Sequence, residues 1–245
     1  MIIASNFKTN HTRATTKRYV EQLNNFIQSN NITDDIYIFP PNSAFDNFNL
    51  TRNLSIGTQN AYPTKSGSFT GEIGLEQLDE FNINTILIGH SERRHIIGEK
   101  QDIIEKKFQF FSEKNFNIIY CIGEPKEIRE EGIDAVMEYL WSQFDGIDVN
   151  YDKIIVAYEP VWAIGTGLSA TTKEIDETLN HLKKRIKAPL LYGGSVKVEN
   201  TKEILQIKNC EGILVGTASW QIDNFCEMIS ISKKIDEEKT YDNER

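Results

Sequence analysis

The chain has 245 residues, 39% hydrophobic and 26% charged, which excludes disordered and fibrous classes and is long enough for a well-buried core. Its formal net charge of −9 excludes general affinity for nucleic acid or anionic membranes, so a phosphate-bearing ligand must be held by a local site against the mean field. The odd count of three cysteines, Cys121, Cys210 and Cys226, with no CxxC or metal-ligand spacing, excludes a disulfide framework and reads as reduced thiols of a cytoplasmic protein.

The opening residues, Met1 to Asn6, show no basic region followed by a long apolar run, so a signal peptide is not expected. They begin a predicted strand over 2–8. A helix follows, with Tyr19, Leu23, Phe26 and Ile27 on one face. Strands are predicted next at 36–39, 54–59 and 85–89, then a helix striped by Ile104, Phe108 and Phe111. The fifth and sixth strands are predicted at 117–122 and 154–158. Thr171 with Glu174 has capping-box spacing and opens a helix carrying Ile175, Leu179, Leu182 and Ile186. A strand at 190–192 precedes a second capping-box pair, Asn200 with Glu203, taken as the next helix start. The eighth strand is predicted at 212–215, and Ile222, Phe225, Cys226 and Ile229 stripe the last helix. The charged tail 233–245 is expected to fray.

The strands are rich in Ile, Val and Leu on both faces, as a buried parallel sheet requires. Eight βα units in 245 residues predict an α/β protein built as one (β/α)8 TIM barrel, eight parallel strands surrounded by helices, over residues 1–245. Pattern alone leaves an open doubly wound sheet as the alternative. No apolar stretch approaches the ~20 residues needed to span a bilayer. His11, His90, His95 and His181 form no HExxH pair, so no metal site is expected.

The unusual local sequences cluster where strands end, which in a barrel is one face. Asn6-Phe7-Lys8 closes the first strand, and Gly-His-Ser-Glu-Arg-Arg at 89–94 follows the fourth. Cys-Ile-Gly-Glu at 121–124 ends the fifth, and Tyr-Glu-Pro-Val-Trp-Ala-Ile-Gly-Thr-Gly at 158–167 follows the sixth. Tyr-Gly-Gly-Ser-Val at 192–196 and Val-Gly-Thr-Ala-Ser at 215–219 follow the last two. Taken singly, these read as turn glycines, a strand-end histidine and a surface carboxylate or lysine.

In this order and spacing, the segments closely resemble the triosephosphate isomerase family, from Ile2 to about Ile229. The resemblance implies an enzyme that interconverts dihydroxyacetone phosphate and D-glyceraldehyde 3-phosphate through an enediolate, with no metal or organic cofactor. It implies Glu159 as the base, since one carboxylate shielded from water can reach two adjacent carbons. It implies His90 as a neutral electrophile beside a helix start capped by Ser91, and Lys8 as the cation, paired with Glu92. Asn6 positions that lysine or donates to substrate. Gly165, Ser195, Gly216 and Thr217 are implied to grip the phosphate through converging N–H groups. The resemblance also implies that loop 160–167 closes over the reaction to exclude water. The segment from Gly67 to Glu72 resembles the family's protruding loop and implies a homodimer, with Arg94 and Glu99 in an ion pair or network near His90.

Several positions depart from the family pattern. Phe7 replaces the usual tryptophan, Ser5 the usual glycine, and Leu168-Ser169 the lysine-containing end of the mobile loop. Thr217 replaces the second of two glycines after the eighth strand. The alternatives kept beside this reading are another phosphosugar barrel enzyme, or a barrel with an added surface-binding role.

Overall fold

A computed structural model of the chain describes residues 1–164 and 169–243. Strands β1 (Ile2–Asn6), β2 (Asp35–Phe39), β3 (Leu54–Ile56), β4 (Thr85–Ile88), β5 (Asn117–Ile122), β6 (Ile154–Tyr158), β7 (Leu190–Tyr192) and β8 (Gly212–Val215) form one parallel sheet. Its order is β3-β2-β1-β8-β7-β6-β5-β4. The two edge strands meet through a parallel bridge between Thr58 and Ile86, which closes the sheet into a barrel. This is the TIM barrel that the sequence pattern predicts, and the open sheet is set aside.

Nine α-helices are described: α1 (Arg13–Ser29), α2 (Leu75–Glu80), α3 (Ser91–His95), α4 (Gln101–Glu113), α5 (Lys126–Glu130), α6 (Ile133–Ser142), α7 (Thr172–Lys183), α8 (Val198–Leu205) and α9 (Ile222–Asn243). The strand period of two splits the core. Ala4, Leu87, Ile119, Ala157, Leu191 and Leu214 belong to a cluster drawn from alternate strand positions, which fills the barrel centre. Their strand neighbours Ile3, Ile86, Ile118, Val156, Leu190 and Ile213 join the larger cluster that packs under the helices. Alternation on two buried faces is why the strands read as continuous apolar runs.

Three local expectations change. The βα repeat lapses between β2 and β3, where only a 3-10 turn, Asn42–Ala44, is formed. Pro41 holds an extended backbone there (φ −55°, ψ 147°), and the following 45–53 is rich in asparagine with no helical stripe. Thr171 caps α7 as predicted, with reciprocal bonds to Glu174. Asn200, however, does not start α8. It sits one turn inside, and its side chain accepts the Lys197 N–H at 2.7 Å. The tail expected to fray instead continues α9 to Asn243. Ile235 is buried, the Ser232 hydroxyl donates to Asp34 at 2.6 Å, and the Met1 ammonium lies 3.2 Å from Asp236. These contacts hold the helix down as far as Asp236.

Candidate active site

The segments that follow the strands meet around a cavity of about 520 Å³ whose lining includes seven candidate residues, Asn6, Lys8, His90, Glu159, Ser195, Gly216 and Thr217. All are residues that the sequence picks out. Glu92 borders an adjoining cavity that shares Asn6, Lys8, His90 and Thr217. Gly165 lies outside the described residues.

Glu159 follows β6 and is 2% exposed. Its Oε1 lies 3.2 Å from His90 Nε2, and its Oε2 accepts the Ser91 N–H at 3.1 Å. Burial raises its pKa above the ordinary glutamate value, against the lowering influence of His90, the Ser91 N–H and Lys8. Gly193 makes room for it, since a Cβ there would stand 2.8 Å from Glu159 Cγ.

His90 caps α3 itself. Its Nδ1 accepts the Glu92 N–H at 3.3 Å, so Nε2 carries the ring proton and faces Glu159. The expectation that Ser91 is the cap is therefore corrected. Serine is the commoner cap, but here its N–H is drawn to Glu159 and its hydroxyl is buried without a partner among the described residues.

Lys8 holds a left-handed backbone (φ 52°), which costs a non-glycine residue about 1–2 kcal/mol. Three side chains offset that cost. Asn6 Oδ1 accepts the Lys8 N–H at 2.9 Å, Gln59 Nε2 donates to the Lys8 carbonyl at 2.8 Å, and the ammonium bonds Glu92 at 2.7 Å. Each such bond contributes about 1 kcal/mol, more where charged. The expected Lys8–Glu92 pair is thus present, and Asn6 fixes the lysine backbone.

Gly216 precedes a 3-10 turn, Thr217–Trp220, and faces Lys8, whose Cε and Nζ would stand 3.2 and 3.5 Å from a Cβ at Gly216. Thr217 is not among the residues with positive φ, so its branched side chain carries no left-handed strain. Ser195 follows β7 and is half-buried on the cavity wall.

Glu99 does not pair with Arg94. It bonds Arg93 at 3.1 Å and the buried Lys107. Arg94 turns inward and donates to the carbonyls of Gly89 (2.7 Å) and Cys121 (3.3 Å) and to the Tyr120 hydroxyl (3.0 Å). Adjacent helical residues point apart, which the sequence does not resolve.

Two contributors escaped the sequence reading. Buried Glu124 Oε1 accepts from Arg129, the Tyr158 hydroxyl and Trp162 Nε1 (3.2 Å), anchoring the start of loop 160–167. Its place in the 121–124 motif was the available signal. Trp220 Nε1 donates to the Asn6 carbonyl at 3.2 Å, a contact across 214 residues with no local signal. Among the described residues, no group of three or more His, Cys, Asp or Glu side chains is placed to hold a metal ion. No described helix is long and apolar enough to cross a membrane.

A barrel with a buried carboxylate, an imidazole, a lysine and small residues at the strand ends defines an acid–base enzyme for a small anion. The family model described as Triosephosphate isomerase matches residues 1–232. The chain is 53% identical over 235 residues to the triosephosphate isomerase of a Nitratiruptor species, covering 96% of this chain and 100% of that protein. It is 56% identical over 229 residues to that of a Sulfurovum species, covering 94% and 99%. The corresponding Wolinella succinogenes protein is 52% identical over 229 residues, covering 94% and 99%. The chain belongs to the triosephosphate isomerase family and is an isomerase.

Proposed function

We propose that the cavity interconverts dihydroxyacetone phosphate and D-glyceraldehyde 3-phosphate by proton transfer through Glu159. The observation that carries this reading is the buried Glu159 carboxylate beside the His90 Nε2–H, 3.2 Å away. Glu159 takes a proton from the carbon next to the carbonyl, and the electron pair left behind forms the enediolate. His90 Nε2–H and the Lys8 ammonium stabilise charge on its two oxygens. His90 passes a proton between those oxygens, and Glu159 returns its proton to the neighbouring carbon. One carbon is oxidised as its neighbour is reduced, with no net change and nothing lost, so the residues suffice without a cofactor. Glu159 leaves His90 to reach substrate, and Gly193 gives it the space.

Gly216, Thr217, Ser195 and Gly165 hold the phosphate through backbone N–H groups, and closure of loop 160–167 excludes water. The enzyme works in the cytoplasm as a homodimer. The exposed loop 67–72 carries Phe69, and Ile96 and Ile97 stand exposed beside the cavity rim, a surface suited to a second copy.

A coupled assay tests the reading: D-glyceraldehyde 3-phosphate is supplied, and dihydroxyacetone phosphate is read through an NADH-linked reductase. Steady turnover is expected. A folded, phosphate-binding protein without turnover would overturn the reading.

A further inference from the structure

The loop after β1 contains two left-handed non-glycine residues, Lys8 (φ 52°) and His11 (φ 69°). Such backbone does not hold itself in place by local preference. His11 is tied to the turn that follows β8, the strand next to β1. Its Nε2 lies 3.1 Å from the Trp220 carbonyl, which can only accept, so Nε2 donates. Trp220 answers in the other direction, its indole N–H donating to the Asn6 carbonyl at 3.2 Å. The His11 ring packs on Phe7 (centroids 4.3 Å apart) and edge-on to Tyr19 (5.7 Å). The Tyr19 hydroxyl in turn donates to the Ser219 carbonyl at 2.6 Å.

Trp220 ends the 3-10 turn that begins at Thr217, Asn6 ends β1, and Lys8 lies on the loop that His11 closes. The two segments face each other directly, with Lys8 Nζ 3.5 Å from where a Gly216 Cβ would stand. Lys8 and the turn therefore address the same small volume, and their separation decides whether a dianion meets both.

We propose that His11 and Trp220 lock the β1 loop to the turn Thr217–Trp220, making His11 a positioning residue for the substrate phosphate. This rests on the reading of Gly216 and Thr217 as phosphate donors. His11 touches no substrate; it acts by fixing where Lys8 and the turn stand relative to each other. Packing alone gives a different expectation, because a phenylalanine at position 11 keeps the ring contacts and removes only the donor.

The test uses inorganic phosphate as the probe, titrated into the full-length protein while the Gly216 and Thr217 amide signals are followed by NMR. In the wild type both amides shift. In His11→Phe the phosphate dissociation constant rises about five-fold, as expected for one lost hydrogen bond, and KM rises more than kcat falls. His11→Gln, whose amide N–H reaches the same carbonyl, recovers most of the affinity. Wild-type affinity in His11→Phe, or His11→Gln binding no better than His11→Phe, overturns the proposal. Should His11→Phe not fold, Trp220→Phe removes the other half of the tie and is expected to weaken phosphate similarly; wild-type affinity there overturns it equally. If phosphate shifts neither amide in the wild type, the phosphate-site reading fails, and the proposal with it.

Discussion

Gly193 and Glu159 share one space: a Cβ on Gly193 would stand 2.8 Å from Glu159 Cγ. Adding that single atom displaces the proposed base without removing it. Gly193→Ala is expected to lower kcat by about ten- to a hundred-fold, since misplacement of about 1 Å carries a cost of that order. Its far-ultraviolet circular dichroism should match the wild type. A fully active Gly193→Ala enzyme would show that Glu159 works from a place this glycine does not control.

Glu159→Gln should lower kcat by about a thousand-fold, within the usual span for a lost general base. Phosphate affinity should stay within about two-fold. Stability should respond in the opposite direction. Burial raises the folded-state pKa of Glu159 above its unfolded value, so the unfolded chain gives up this proton first. The favourable contribution is fully present below the unfolded value of about 4.3 and is lost as pH rises through the folded value. The glutamine has no charge to bury. The melting temperature of Glu159→Gln relative to wild type should therefore be higher at pH 8 than at pH 4.5, and an unchanged difference would count against a raised pKa.

The thiols should resist alkylation. Burial pushes Cys121 well above the ordinary thiol range and Cys210 to about 11. Half-buried Cys226 is also raised to about 11, by burial first and then by Asp223. Little thiolate exists at pH 7.5, and the thiolate is the nucleophile. Intact-mass measurement after brief iodoacetamide treatment should show native protein almost unlabelled and denatured protein labelled at all three. Rapid modification of native Cys121 would contradict this.

Assembly makes a further prediction. Ile96 is 79% and Ile97 64% exposed in the isolated chain, a poor arrangement unless another surface covers them. Sedimentation at micromolar concentration should show a dimer, and Ile97→Asp should shift it to monomer. A monomeric wild type would remove the dimer from the account.

The strands were legible because a buried parallel strand leaves a run of Ile, Val and Leu, as Ile154–Tyr158 does. Candidate residues were legible because they sit at strand ends in specific order. Direction and distance were not. The sequence reading joined Arg94 with Glu99, but it could not tell that Arg93 takes the carboxylate while Arg94 turns to Tyr120. Ser91 looked like a cap because serine usually is one, and a tertiary demand from Glu159, 68 residues away, overrode that preference. The lapse after β2 was obscured because counting strands implies a helix between each pair. The missing apolar stripe over 45–53 was the available sign.

That lapse lies one strand away from the barrel's thinly joined edge. Among the described residues, β3 and β4 meet through the single Thr58–Ile86 bridge, and the groove beside them is lined by Phe45, Phe48 and Phe81 without an intervening helix between β2 and β3. The eight strands thus behave as a rolled strip with one latch. Thermal opening is expected to begin at the latch and travel inward from both ends of the strip, with the amides of β3 and β4 the first to exchange with solvent. The strands reached last are β7 and β8. Ser195 and Gly216 follow those strands, so the part of the cavity proposed to hold the phosphate is anchored as far as the ring allows from the latch.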